Sequence, residues 1–262
     1  MWLTLDIGNS RIKGGLFEGD VLRHTFTMQS APEASLTAYR HSLRHHLKGT
    51  HPERIGIASV VPELSDKIQQ ALQMETWTLP EFIHHRMRLP FSVEYLSPER
   101  LGTDRLAAAA GATRCFEKSH PAHTILVIDA GTAVTFEVIR QGTHYEGGLI
   151  LPGPQLMNQA LHRGTAQLPE VSLTLPPSPV GRSTGEAIQA GIMYGFLEAV
   201  RGILHQLVAK PTYAPALCIA TGGWGHFLKQ HIPEVEYYEP HLVLKGIRDL
   251  LELNQQPVLR RP

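Results

Sequence analysis

Leu3-Thr4-Leu5-Asp6-Ile7-Gly8-Asn9-Ser10 and Leu126-Val127-Ile128-Asp129-Ala130-Gly131-Thr132-Ala133 are two versions of one pattern. In each, an apolar run that reads as a buried strand ends in Asp-x-Gly plus a small polar residue, and another strand follows. The two turns lie nearly half the chain apart. Strand, tight turn and returning strand, met twice, read as an internal duplication, and a repeat of this kind outranks local assignments. A lone Asp-x-Gly is most often a plain hairpin. Two in register, each after a core strand, favour a shared task. A strand that ends in an acid and reverses over Gly brings backbone N–H groups close to a phosphate, while the carboxylate holds a cation or its water shell. A pair of such turns can clamp a nucleotide triphosphate tail.

Outward from these turns, Trp2–Asp6, Ile12–Phe17 and Val21–Thr27 read as a meander, with Glu18-Gly19-Asp20 as its hairpin turn. Ser30, Pro32 and Glu33 signal a helix start, and Leu36, Tyr39, Leu43 and Leu47 follow at helical spacing. A strand over Ile55–Val61, a helix from about Pro62, an irregular stretch to Pro98 and a helix through Arg105–Ala112 complete the first half. The helix stops around Ser119–His123, and a strongly apolar strand begins at Thr124. This predicts an α/β chain of two duplicated domains, 1–117 and 118–262, in keeping with a length of 262 residues.

Composition excludes several classes. Lys plus Arg (24) balances Asp plus Glu (24), so no general field attracts nucleic acid or an anionic membrane. The apolar start is interrupted at Asp6, and no apolar run approaches the roughly 18 to 20 residues of a membrane span; the N-terminus reads as mature structure. Cys115 and Cys218, each in an apolar setting, read as buried small hydrophobes of a reduced cytoplasmic protein. His41 and His45 stand four apart on one helix but have no carboxylate or cysteine at ligand spacing, so a solvated His-rich face accounts for them.

Among other phosphate motifs, no Gly-x-x-x-x-Gly-Lys-Ser/Thr occurs, and Gly223-Trp224-Gly225 lacks the last glycine of a dinucleotide fingerprint because Leu228 stands there. Cys218-Ile219-Ala220-Thr221-Gly222-Gly223 reads as a short strand entering a double glycine and a helix, suited equally to an ordinary turn or to a base or ribose lying on bare backbone. Gly147-Gly148-Leu149-Ile150-Leu151-Pro152-Gly153 is notable for following the second Asp-x-Gly hairpin.

Taken in order, Asp6-Ile7-Gly8-Asn9-Ser10, Gly102-Thr103-Asp104-Arg105, Asp129-Ala130-Gly131-Thr132, Gly147 to Gly153, Ser183-Thr184-Gly185-Glu186-Ala187-Ile188 and Ala220-Thr221-Gly222-Gly223 resemble the motif series of type III pantothenate kinases. The resemblance covers nearly the whole chain, with Ser10 where the family commonly has Thr. The Asp-x-Gly turns alone would indicate only the actin, hexokinase and acetate-kinase superfamily; Gly-Thr-Asp-Arg is more specific. It implies two RNase H-like (actin-like ATPase) domains, each a mixed sheet flanked by helices. It also implies transfer of the ATP γ-phosphate to pantothenate, the first step of coenzyme A synthesis, in a cytoplasmic homodimer.

By the same resemblance, Asp6, Ile7, Gly8, Asn9, Ser10, Arg11, Ile12 and Lys13 form the first phosphate loop, with Asp6 near Mg2+. Asp129 binds K+ or NH4+, and Thr132 touches ATP. Tyr95, Gly102, Thr103, Asp104, Arg105 and Thr184 meet pantothenate, with Asp104 as general base. Taken without the family, Asp104 and Arg105 are an exposed pair at a helix N-terminus, Tyr95 is packing and Thr184 a helix N-cap. Another kinase or phosphohydrolase of the superfamily, a non-enzymatic regulator and a filament subunit are the rival readings.

Overall fold

The fold is a computed structural model that describes residues 1–75 and 78–255. In chain order it contains β1 (Trp2–Ile7), β2 (Arg11–Glu18), β3 (Val21–Gln29), α1 (Leu36–Leu47), β4 (Arg54–Ser59), α2 (Pro62–Glu75), β5 (Glu81–Phe82), β6 (Ser92–Val93) and α3 (Thr103–Phe116). There follow β7 (Thr124–Ala130), β8 (Ala133–Arg140), β9 (His144–Pro152), α4 (Pro154–Gly164), α5 (Thr184–Val208), β10 (Ala216–Thr221), α6 (Gly225–His231), β11 (Tyr237–Tyr238) and α7 (Leu242–Leu253). Two compact units result, one of residues 1–120, 143–145 and 241–255, the other of residues 121–142 and 146–240.

In the first unit the strands lie in the order β3-β2-β1-β4-β5, with β1 antiparallel to β2 and parallel to β4. Alternation along β1 decides what each face does. Leu3, Leu5 and Ile7 join Tyr39, Leu43 and Leu47 of α1 and Leu64, Ile68 and Leu72 of α2 in one core. Thr4 and Asp6 point to the other face, beside Gly56 and Ala58 of β4 in register. That face receives α7: a Cβ on Gly56 would lie 2.6 Å from Ile247 and 2.8 Å from Leu251. Helix α3 runs against α7 and β4 and is buried without a break from Arg105 to Thr113. A helix surrounded by protein shows no apolar stripe, and its alanines let α7 approach: a Cβ on Gly246 would fall 1.7 Å from the Ala107 carbonyl oxygen.

The second unit repeats the order as β9-β8-β7-β10-β11, again with the first strand antiparallel to its hairpin partner and parallel to the next. Leu126, Ile128 and Ala130 pack with Phe196, Val200 and Leu204 of α5 and Leu228 of α6. This matching order is the α/β duplication expected from the paired turns. Among the described residues no helix is long and apolar enough to cross a membrane.

Four details differ from the sequence reading. The division at 117/118 assigned everything after it to the second half, whereas α7 packs in the first unit because its apolar face covers β1 and β4. Ser30 does not start a helix; Ser35 is the N-cap, accepting from the Ala38 N–H at 3.2 Å. Thr184 is not a cap either, since Ser183 accepts from Glu186 N–H and Thr184 is the first helical residue. Cys115 is exposed, at the end of α3 where that helix emerges; only Cys218 is buried.

Candidate functional site

Antiparallel register sets Lys13 directly opposite Asp6, so both side chains share the face of the first sheet on which α3 and α7 lie. Lys13 Nζ stands 3.9 Å from Asp6 Oδ2. Between them the chain reverses over Gly8, whose N–H donates to the Arg11 carbonyl at 3.1 Å, leaving Asn9, Ser10 and Arg11 exposed. Ser30 latches this turn from β3's end: its hydroxyl donates to the Gly8 carbonyl at 2.5 Å and its N–H to that of Ser10 at 3.2 Å. Sequence reasoning missed that role because a Ser before Pro and Glu is also a helix-start pattern.

Helix α3 starts at Thr103 with Gly102 as N-cap, which offers no side-chain hydrogen bond. The Asp104 carboxylate folds back instead, Oδ1 accepting the Arg105 N–H at 2.8 Å. A Cβ on residue 102 would stand 2.6 Å from that oxygen, so Gly102 is what lets the carboxylate curl. Burial pushes the Asp104 pKa above its ordinary value; the backbone amides and the charges of Arg105 and Lys13 pull the other way and lose. Lys13 thus acts on both carboxylates, Asp6 as ion-pair partner and Asp104 through its field. Arg105 is buried, its guanidinium 5.9 Å from the centre of the Tyr95 ring. Tyr95 in turn lies 6.4 Å from the ring of Tyr145, which is fully buried and also meets Phe91 at 5.7 Å. Asp6, Lys13, Tyr95, Gly102, Thr103, Asp104 and Arg105 all belong to the first unit. A cavity of about 450 Å³ in that unit, lined by Arg88, Arg114, Asp249 and Leu250 among others, contains none of them.

In the second unit Asp129 is the penultimate residue of β7, half-buried, and Thr132 is exposed in the two-residue turn that follows. Both glycine motifs converge on this turn. Gly153 donates its N–H to the Thr132 carbonyl at 2.9 Å, and a Cβ there would fall 2.2 Å from the Gly131 oxygen. Gly222, at φ +81°, is equally tight: its Cβ would fall 2.4 Å from Asp129 Oδ1 and 2.6 Å from the Ala130 oxygen. Gly153→Ala should therefore destabilise the protein by about 1 to 3 kcal/mol, the usual cost of overpacking. Denaturant unfolding checks this, and an unchanged midpoint would show that the turn moves aside freely. Thr184, on the exposed first turn of α5, is the remaining expected site residue of this unit.

The donor chemistry can be weighed against the cations. Among the described residues no cluster of three His, Cys, Asp or Glu can hold a metal. Mg2+ commonly takes one or two carboxylates and completes its shell with water and phosphate oxygens, and Asp6, near the end of β1 beside the turn over Gly8, fits that arrangement. Asp129 Oδ1 and the Ala130 carbonyl oxygen both lie close against Gly222, two oxygen donors of the kind a hard cation takes.

The family model for type III pantothenate kinases matches residues 2–206. This chain belongs to the type III pantothenate kinase family. The type III pantothenate kinase of Anaeromyxobacter dehalogenans (strain 2CP-C) is 34% identical over 260 residues, covering 97% of this chain and 100% of that one. Among solved structures, a Campylobacter jejuni protein assigned to the Baf family superposes with a TM-score of 0.60 at 21% identity, covering 96% of this chain and 98% of that one. A ROK family glucokinase from Streptomyces griseus, solved with glucose and AMPPNP, gives 0.54 at 13% identity, covering 95% and 98%. At such identities the likeness concerns the fold alone. At the start of α3 the structure buries Arg105, which composition alone would leave on a solvated helix start.

Proposed function

We propose that this kinase transfers the γ-phosphate of ATP to the primary hydroxyl of pantothenate, with Asp104 as general base. The observation that carries the reading is the gathering, inside one unit, of a phosphate-type turn and a desolvated carboxylate under the influence of the same lysine.

Phosphoryl transfer has a loose transition state in most analyses, so positioning and charge compensation supply most of the acceleration. The exposed tip Asn9 to Arg11 holds phosphate oxygens, carried on the paired stem of Asp6, Ile7, Gly8, Ile12 and Lys13, and Lys13 places its charge on the triphosphate. Asp104 accepts the proton of the acceptor hydroxyl. Arg105, set over Tyr95, presents a planar fork that matches the pantothenate carboxylate, with Gly102 and Thr184 as the other acceptor-side residues. Thr132 meets ATP from the second unit's turn. Asp6 is the residue to hold Mg2+ and Asp129 the one to hold K+ or NH4+; when bound, these cations offset phosphate charge. The kinase acts as a homodimer, which the exposed Leu149, Ile150, Leu156 and Leu161 of β9 and α4 support. A cytoplasmic setting agrees with the buried thiol of Cys218.

The reaction is tested by ADP release with pantothenate as acceptor, with and without potassium, against sugars and other alcohols. A protein that turns over another acceptor and ignores pantothenate would sink the substrate assignment.

A pH dependence follows from Asp104. The base must be ionised, so kcat/KM falls as pH is lowered through its pKa, and burial places that acidic limb above the ordinary range of an Asp. Removing the opposing charge with Lys13→Gln moves the limb further up in pH. A limb at the pKa of a free carboxylate, about 4, would mean that a different group limits the rate.

A further inference from the structure

This inference rests on the reading of Asp104 as the base and concerns how that base is held. The neighbouring Thr103 has its side chain fully engaged: Oγ1 accepts from the Ser59 backbone N–H at 2.7 Å and donates to the Ser59 carbonyl at 3.0 Å. A threonine hydroxyl has a single proton to give, and here it goes to Ser59. Ser59 closes β4 opposite Ile7 of β1 in register, and the next N–H, that of Val60, donates to the Ile7 carbonyl at 3.1 Å. From α2, Ser65 donates to Ser59 Oγ at 2.7 Å, and Ser59 Oγ passes its own proton to the Val61 carbonyl at 3.3 Å. One run of hydrogen bonds therefore joins the start of α3 to the ends of β1 and β4 and to the start of α2. Because the N-cap Gly102 has no side chain, Thr103 makes the side-chain tie of α3's first turn to the sheet.

We propose that Thr103 is a positioning residue, which clasps the backbone of Ser59 and so fixes the Asp104 carboxylate relative to the first phosphate turn, without itself binding the acceptor. Misplacement of a reacting group by about 1 Å can lower a rate by roughly 10²-fold, so a clasp one residue from the base has a direct kinetic consequence. Its partner is a backbone rather than a side chain, which is why nothing in the spacing of the sequence discloses it.

Thr103→Val keeps the shape and removes both hydrogen bonds. It should lower kcat by about 10- to 100-fold, with KM for pantothenate and for ATP changing by less than about threefold. Thr103→Ser, which keeps the hydroxyl, should recover most of the turnover. If Thr103 acts through Asp104, adding Thr103→Val to Asp104→Asn should cost less than about twofold more, since the group to be positioned is already gone. Amide exchange at Ser59 supplies a readout independent of turnover, faster in Thr103→Val and restored in Thr103→Ser. A raised KM for pantothenate at unchanged kcat would make Thr103 an acceptor ligand and overturn the proposal. So would an additive loss in the double variant, or exchange at Ser59 that ignores the substitution. If no form of the protein turned over pantothenate, the substrate assignment would fall, and Ser59 exchange would still decide whether the clasp exists.

Discussion

Asp104→Asn is expected to lower kcat by roughly 10²- to 10⁴-fold, the usual range for a general base, with little change in KM for ATP. The substitution is nearly isosteric, and the Asn Oδ1 can still accept the Arg105 N–H that Asp104 accepts at 2.8 Å. It cannot take a proton. Stability should move the other way from activity. The folded pKa of Asp104 lies above its unfolded value, so the folded state holds the proton more tightly. Stability from this group then falls as pH rises through the interval between the two values. At neutral pH the ionised carboxylate is a liability to the fold, and the Asn variant should unfold no earlier than the parent. Steady-state kinetics and thermal unfolding on one preparation check both halves. Full turnover in Asp104→Asn would remove the base assignment, and lost turnover with a lower unfolding temperature would trace the loss to folding.

Gly246→Ala should be the most destabilising of the single-methyl additions considered. The added carbon would stand 1.7 Å from the Ala107 carbonyl oxygen and 2.9 Å from the Gly111 nitrogen, both backbone atoms of α3. A flexible side chain could turn away; a helix backbone cannot. Helices α3 and α7 must therefore separate along a fully buried seam, which also opens the contacts of Ile247 and Leu251 with the sheet. Overpacking ordinarily costs about 1 to 3 kcal/mol, and here at least the upper end is expected. Gly111→Ala, whose Cβ would meet the Leu242 carbonyl oxygen at 2.6 Å, should behave similarly but less severely. Circular dichroism against temperature measures this; a variant that melts with the parent would mean that the two helices are not in the contact described.

The duplication was legible because its signal is local. An apolar run, an acid and a glycine sit together in sequence, and the antiparallel partner follows within a few residues in both β1–β2 and β7–β8. What stayed hidden involves distant or backbone partners. The attachment of α7 to the first sheet depends on Gly56 and Gly246 making room, and a glycine states only that something approaches, not what. Helix α3 was placed by its ends, since burial on every side removes the periodicity by which a helix face is read. Among site residues, Asp6, Asp104 and Asp129 were chosen by motif. Their settings were not readable: Asp104 owes its desolvation to the packing around α3, Ser30 holds Gly8 across the meander, and Gly153 and Gly222 earn their place from carbonyl and carboxylate oxygens far away in sequence.

Helix α7 lies beyond the whole second unit in the chain, yet it roofs the first sheet. A polypeptide leaving the ribosome therefore presents β1, β4 and α3 long before their cover exists, whereas β7 to β11 emerge as an uninterrupted set. Although domains made first generally fold first during synthesis, here the face of the first sheet that carries Asp6 and Lys13 is covered only once the closing helix has been translated.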